Sequence, residues 1–278
     1  MNKLNTHTIK KFPKIELHCH LDGSVSGLQV YENLKLLGIY ATKDEILSKI
    51  IAPEICHDLT EYLSCFEWLT KCLKNPTLIF LAIEDICRQA IAENVIYLEL
   101  RFSPYHLSND KFTMKQVVEA VIEAVNKMKD KYPLKIGIIL CLMRGREESV
   151  NNQVIELANQ FRDKIVGLDL AGNESKYPTK MYLKQLALIN YLEIPFTIHA
   201  GETGNFDNIR DAILAGAKRI GHGIAAKKSE EVISLIRGRN ITLEMCPKCN
   251  IQTKASKNWN DYPFDTFYRK EKLLVTIN

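Results

Sequence analysis

The chain has 278 residues, 46% of them hydrophobic and 25% charged, with a formal net charge of +4. That length can bury a sizeable core, and the composition is that of an ordinary globular protein. Basic residues gather only in pairs such as Lys10–Lys11 and Lys227–Lys228, so charge gives no support to binding nucleic acid or a membrane surface.

The opening stretch from Met1 to Pro13 has no apolar core of the kind a secretory signal needs. Eight cysteines without an export signal are expected as free thiols in a reducing compartment, which makes a cytoplasmic protein the expectation. Apolar runs then recur along the chain, none long enough to span a bilayer. The first strand is expected at Ile15–His20, followed by a long helical insertion at about 28–93. Further strands are expected at Val95–Phe102, Ile136–Met143, Ile165–Ala171, Pro195–Ala200, Arg219–Gly221, Ile241–Met245 and Leu273–Ile277. Amphipathic helical stretches separate them: Lys115–Lys129, Gln153–Phe161, Thr179–Leu192, Ile209–Ala215 and Ser229–Arg237.

Most of the strand runs are continuously apolar rather than alternating, as strands covered on both faces are. About eight strands alternating with helices predict an α/β chain folded as a (β/α)8 TIM-type barrel, with residues 1–278 as a single domain. An open doubly wound sheet is the alternative. The last run stops at Asn278 with no helix after it, so barrel surface beside strands eight and one is expected to be partly uncovered and open to self-association.

In such a barrel the chemistry sits where strands end. His18 and His20 end the first strand, in "KIELHCHLDGS"; His199 ends the fifth, in "TIHAGE"; His222 ends the sixth, in "RIGHG". His7, His57 and His106 lie in helical or loop contexts and read as surface residues. Residues i and i+2 of a strand point to one side, so His18 and His20 face the same way. With a third imidazole converging from strand five, they suit a zinc ion with an open coordination position, although a lone His-x-His also arises by chance. Glu202 is either a buried proton carrier or an acid favoured near a helix start. Asp22 either contacts substrate or caps the next helix. Cys246 and Cys249 form a C-x-x-C, but no second cysteine pair completes a four-ligand site, and the pair reads as structural. Leu59, Tyr62, Leu63 and Phe66 have helical spacing and read as a core-facing stripe.

Taken together, "KIELHCHLDGS", "DLAGNE" (Asp169 to Glu174), "IHAGE" (Ile198 to Glu202) and "RIGHG" (Arg219 to Gly223) resemble the adenosine deaminase family in order and spacing, from about Pro13 onward. "SCFEWL", "RFSP", "CLMRG" and "EMCPKCN" are weaker landmarks. The resemblance implies a zinc-dependent barrel that hydrolyses the 6-amino group of adenosine, and also of 2′-deoxyadenosine, to give inosine and ammonia. It implies His18, His20 and His199 as ligands of one zinc ion that lowers the pKa of its bound water. Spacing alone leaves His222 open as a further ligand; the resemblance makes it the group that orients that water and accepts its proton. Glu202 would protonate purine N1. Gly172 would offer its N–H to N3, His20 and Asp22 would contact the substrate, and Tyr62, Leu63 and Phe66 would cover the pocket.

The family pattern continues with a Thr-Asp-Asp type motif where this sequence stops, and it has an Asp where Asn173 stands and small polar residues where Lys248 and Cys249 stand. Without those aspartates, weak or absent activity is expected. Two rivals remain: a non-catalytic nucleoside-binding protein, and another mononuclear metal-dependent amidohydrolase. A two-metal site is disfavoured because strand four ends Leu168 to Gly172 without a bridging lysine.

Overall fold

A computed structural model describes residues 5–278, apart from the side chain of His7. Eight parallel strands form at the expected places: β1 (Lys14–His20), β2 (Val95–Phe102), β3 (Lys135–Met143), β4 (Gly167–Ala171), β5 (Thr197–Ala200), β6 (Arg219–His222), β7 (Thr242–Met245) and β8 (Leu274–Ile277). The fourth and fifth begin two residues later than their apolar runs, and the sixth runs one residue further, to His222. The residues group into two compact units. One takes the described residues up to Ile50 together with Phe66–Ile138; the other takes Ile51–Cys65 together with Ile139–Asn278.

In the first unit β1 pairs with β2, from Lys14 opposite Val95 to His20 opposite Arg101. The ladder slips between Glu16 and Cys19, next to His18. At this slip the His18 amide donates to the Glu16 carboxylate at 2.7 Å. Bulges of this kind re-aim side chains beside functional sites. Between β1 and β2 lie five helices, from Gly27–Leu36 to Pro76–Ala92, of which Leu59–Ser64 belongs to the second unit. The last of these starts at an Asn75 cap with proline in its first turn, and buries Leu78, Ile79, Ala82, Ile83 and Ile86. The helix Met114–Lys131 opens with a capping box of Thr113 and Gln116 and buries Val117, Val121, Val125 and Met128.

In the second unit the latter part of β3 pairs with β4, setting Cys141 beside Asp169 and Met143 beside Ala171. A bridge from Leu168 to Phe196 joins β4 to the start of β5. From there the sheet runs β5-β6-β7-β8, with His199 opposite Gly221, Ala200 opposite His222 and Gly221 opposite Glu244. Helices Glu148–Gln160, Leu183–Tyr191, Asp207–Leu214 and Glu230–Gly238 fill the crossovers. Every residue of β4 and β5 is buried, as their apolar runs require. β8 differs: Leu274 and Ile277 are exposed.

Candidate active site

At the end of β1 the strand alternation puts both imidazoles on one side. His18 Nε2 lies 3.3 Å from His20 Nε2, and the His20 ring meets the edge of Phe66. The turn that follows is anchored on β2, because the Leu21 N–H donates to the Arg101 carbonyl at 2.8 Å and the buried Arg101 guanidinium donates to the Leu17 carbonyl. Asp22 is buried in that turn. Loss of solvent pushes its carboxyl up to about 6, against hydrogen bonds from the backbone of Asp22 and Gly23. Gly23 has little room beside it: a Cβ there would stand 3.1 Å from the Phe66 ring.

In the second unit His199 is held at both ring and backbone. Its Nδ1 lies 2.9 and 3.1 Å from the two carboxylate oxygens of Asp169, a side chain with no solvent exposure. A carboxylate accepts, so Nδ1 carries the hydrogen and Nε2 keeps its lone pair, the arrangement seen in metal-ligating histidines. The buried Arg144 guanidinium, just past β3, donates to the His199 carbonyl at 2.8 Å, to the Tyr177 carbonyl at 2.7 Å and to Thr179 Oγ1 at 3.1 Å. The loop after His199 is fixed by Glu174. This buried carboxylate accepts from the Gly201 and Thr203 amides at 2.8 and 2.7 Å, from Thr203 Oγ1 at 2.9 Å and from Asn208 Nδ2 at 3.0 Å.

That loop delivers Glu202 into a buried position. Desolvation raises its carboxyl pKa above the usual range, opposed by His199, a hydrogen bond from the Cys249 thiol, and Arg144. Its Oε1 stands 3.4 Å from Cys249 Sγ and 3.6 Å from His222 Nε2. His222 ends β6 with a φ of 65°, an unfavourable conformation for a residue with a side chain. Such strain costs about 1–3 kcal/mol and concentrates at functional sites. Asn250 fixes the ring: its amide nitrogen lies 3.0 Å from His222 Nδ1, while its carbonyl oxygen accepts from the Tyr262 hydroxyl at 3.2 Å. The His199 and His222 ring centroids are 5.4 Å apart. Gly172, just past β4, has a φ of 103°, which favours glycine.

The stripe on Leu59–Ser64 has Leu59 buried and Tyr62 and Leu63 half-buried. The Tyr62 hydroxyl is hydrogen-bonded to Cys249. The C-x-x-C splits: Cys246 is buried with its thiol 3.5 Å from the Glu244 carbonyl, whereas Cys249, read from sequence as structural, sits against Glu202. All eight cysteines are free thiols. His57 is exposed and His106 half-buried, while the side chain of His7 lies outside the described residues. Sequence reading assigned no role to Asp169, Arg144, Glu174 or Asn250. The signal for Asp169 was present, since a charge inside the buried apolar strand "GLDLA" needs a partner.

The donor chemistry of each unit fits zinc. The first presents two imidazole nitrogens turned toward each other, and the second an imidazole whose other nitrogen is held by a carboxylate.

A family model described as adenosine deaminase matches residues 13–278. The adenosine deaminase of Enterococcus faecalis is 38% identical over 97% of this chain and 81% of its own length. That of Clostridium perfringens is 36% identical over 100% of this chain and 83% of its own. Among solved structures, the adenine deaminase of Arthrobacter aurescens superposes with a TM-score of 0.87 at 21% identity, covering 96% of this chain and 81% of that one. A Zn-bound amidohydrolase from Burkhoderia ambifaria also gives 0.87, at 18% identity and covering 99% and 78%. These likenesses give the fold class, an α/β TIM barrel.

Proposed function

Since the chain belongs to the adenosine deaminase family and is a hydrolytic deaminase, we propose that it converts adenosine and 2′-deoxyadenosine to inosine and ammonia with one zinc ion per chain. The observation that carries the reading is the buried Glu202, its pKa raised, held beside His222 at the ends of two neighbouring strands. Proton transfer to a ring nitrogen near neutral pH needs a carboxyl that stays protonated above its ordinary range, and burial provides that.

In this reading His18, His20 and His199 would hold the zinc, which would supply Lewis acidity for activating water near neutral pH. His222 orients the attacking water and takes its proton, with Asn250 holding the ring in place. Glu202 delivers a proton to N1, so that C6 becomes electrophilic; once water has added, the proton taken by His222 passes to the amino nitrogen, ammonia leaves, and the hydroxyl proton on C6 returns to Glu202. Gly172 offers its N–H to N3, and His20 and Asp22 engage the substrate on the ribose side. Tyr62 and Leu63 cover the purine. The relatives carry the name of the activity, which disfavours a non-catalytic nucleoside binder.

No helix among the described residues is long and apolar enough to cross a membrane. The eight free thiols support a cytoplasmic location, and the exposed Leu274 and Ile277 of β8 support self-association.

The test is conversion of adenosine to inosine by the purified, zinc-supplemented chain, with His199→Ala as control. Turnover that disappears in the control, together with its zinc, is the expected result. Folded, zinc-loaded protein that leaves both adenosine and 2′-deoxyadenosine unchanged would sink the substrate assignment.

A further inference from the structure

We propose that Glu202, His222 and Cys249 form a second cation site, and that a soft divalent ion of the zinc type bound there switches the enzyme off. The inference rests on the reading of Glu202 and His222 as the catalytic pair, and adds to it a site that disables both at once.

The geometry comes first. A carboxylate oxygen, an imidazole nitrogen and a thiol sulfur from these residues all lie within 4.8 Å of one another. Tetrahedral coordination with bonds of about 2.0–2.3 Å places donor atoms roughly 3.3–3.8 Å apart. Two edges of the triangle already meet that spacing: Cys249 Sγ to Glu202 Oε1 at 3.4 Å, and His222 Nε2 to Glu202 Oε1 at 3.6 Å. A cation of ordinary size therefore needs only small side-chain adjustments.

The chemistry of the donors comes second. One sulfur, one nitrogen and one oxygen make a borderline-soft set that favours zinc-like ions over magnesium or calcium. The donors are also held. The Asn250 amide nitrogen donates to His222 Nδ1, so in the neutral ring Nε2, the atom facing Glu202, carries the hydrogen. Glu174 clamps the backbone on either side of Glu202, at Gly201 and Thr203. Burial holds the Cys249 thiol well above its ordinary pKa, so it is protonated in the resting protein. As the bonds to the ion form, the thiol proton passes to solvent, because a coordinating thiol is deprotonated outright, and the Nε2 hydrogen of His222 moves to Nδ1 as the Asn250 amide turns its oxygen toward the ring. Occupation then removes the proton from Glu202 and ties up His222 Nε2, the two functions that the reaction needs.

Cys246 does not share the site. Its thiol donates to the Glu244 carbonyl at 3.5 Å while lying near enough to Cys249 to raise that thiol's pKa, which makes Cys246→Ala the neighbouring-thiol control.

The experiment titrates Cd2+ into zinc-loaded enzyme, comparing wild type with Cys249→Ala, Cys249→Ser and Cys246→Ala. Bound cadmium is counted by equilibrium dialysis, sulfur coordination is followed by the ultraviolet cadmium–thiolate band, and the residual rate is expressed relative to each protein's own metal-free-buffer rate. Wild type and Cys246→Ala should bind one more cadmium per chain than either Cys249 variant, gain the band with that equivalent, and lose at least tenfold in rate. The Cys249 variants should need at least tenfold more cadmium for the same fractional loss. Equal stoichiometry and equal band intensity in wild type and both Cys249 variants would overturn the site. Binding without inhibition would overturn the switch. Because dialysis and absorbance need no turnover, a protein that failed to deaminate would contradict the functional reading while still reporting on the cation site.

Discussion

His18 and His20 sit one residue apart on a single strand and turn their Nε2 atoms toward each other at 3.3 Å, whereas His199 and His222 sit on adjacent strands and each anchors Nδ1 on a side chain from another element. The first pair is arranged by strand alternation and by the ladder slip beside His18. The second is arranged by partners: Asp169 and Arg144 for His199, Asn250 for His222, and Glu174 for the loop between them. Two ring nitrogens at that distance either share one proton or converge their lone pairs on a cation. The β5–β6 pair is ordered by side chains from other elements, and in the proposed reading a zinc ion would draw the two β1 nitrogens together. Preorganised dipoles and proton carriers are what the chemical step draws on.

The largest effect expected from breaking this contrast is at Glu202. Glu202→Gln keeps the shape but removes the proton carrier, and kcat should fall about 10²- to 10⁴-fold. Bound zinc should stay at the wild-type level, because Glu202 is not among the proposed zinc ligands. Rate and metal content measured on one preparation decide the matter, and a Gln variant that lost its zinc would place Glu202 in the metal shell instead.

Next in size is the carboxylate behind His199. Asp169→Asn can still accept from Nδ1–H through its amide oxygen, but it no longer strengthens the imidazole as a donor. Removing such partners typically costs about 10–100-fold in metal affinity or activity. Competition with a chelator should show that loss for Asp169→Asn. Unchanged affinity would make Asp169 a purely structural neighbour and erase the distinction between the two histidine pairs.

These two positions also show how far the sequence was legible. The strands were readable because both their faces are covered, so each one is an uninterrupted apolar run. The four histidines stood out as candidates because they end such runs, where a barrel places its chemistry, and Glu202 because it follows the fifth run on the loop after Ala200. The partners were not. Asp169 lies 30 residues before His199, and the pairing depends on how β4 and β5 are brought together, which no local pattern records. Asn250 and Cys249 lie on the short helix Pro247–Gln252 after β7, and which faces of that helix meet His222 and Glu202 is set by its exit angle. The C-x-x-C read as a structural pair, whereas the structure gives Cys246 the Glu244 carbonyl and Cys249 the Glu202 carboxylate as partners.

A smaller effect is expected at Asn250. A hydrogen bond of this kind contributes about 0.5–1.5 kcal/mol net. Asn250→Ala should therefore lower kcat by about two- to tenfold, with KM little changed, since the ring it steadies acts on water rather than on the purine. A change confined to KM would mean that Asn250 shapes the substrate pocket and leaves His222 unaffected.

The smallest expected effect concerns the thiol beside Glu202, in cadmium-free buffer. The Cys249 thiol donates toward Glu202 Oε1 and so favours the carboxylate, opposing the desolvation that raises its pKa. Replacing Cys249 with alanine removes a group that lowers the pKa, so the carboxyl should lose its proton at higher pH than in wild type. The reaction needs Glu202 protonated, which makes its ionisation the descending limb of kcat/KM as pH rises. That limb should move to higher pH in Cys249→Ala, by less than about one unit, as fits one weak hydrogen bond among several contributors. Movement in the opposite direction would mean that the sulfur accepts from a protonated carboxyl instead of donating to it. The resting proton would then sit on Glu202, poised for N1, and Cys249 would hold that acid in its donor form.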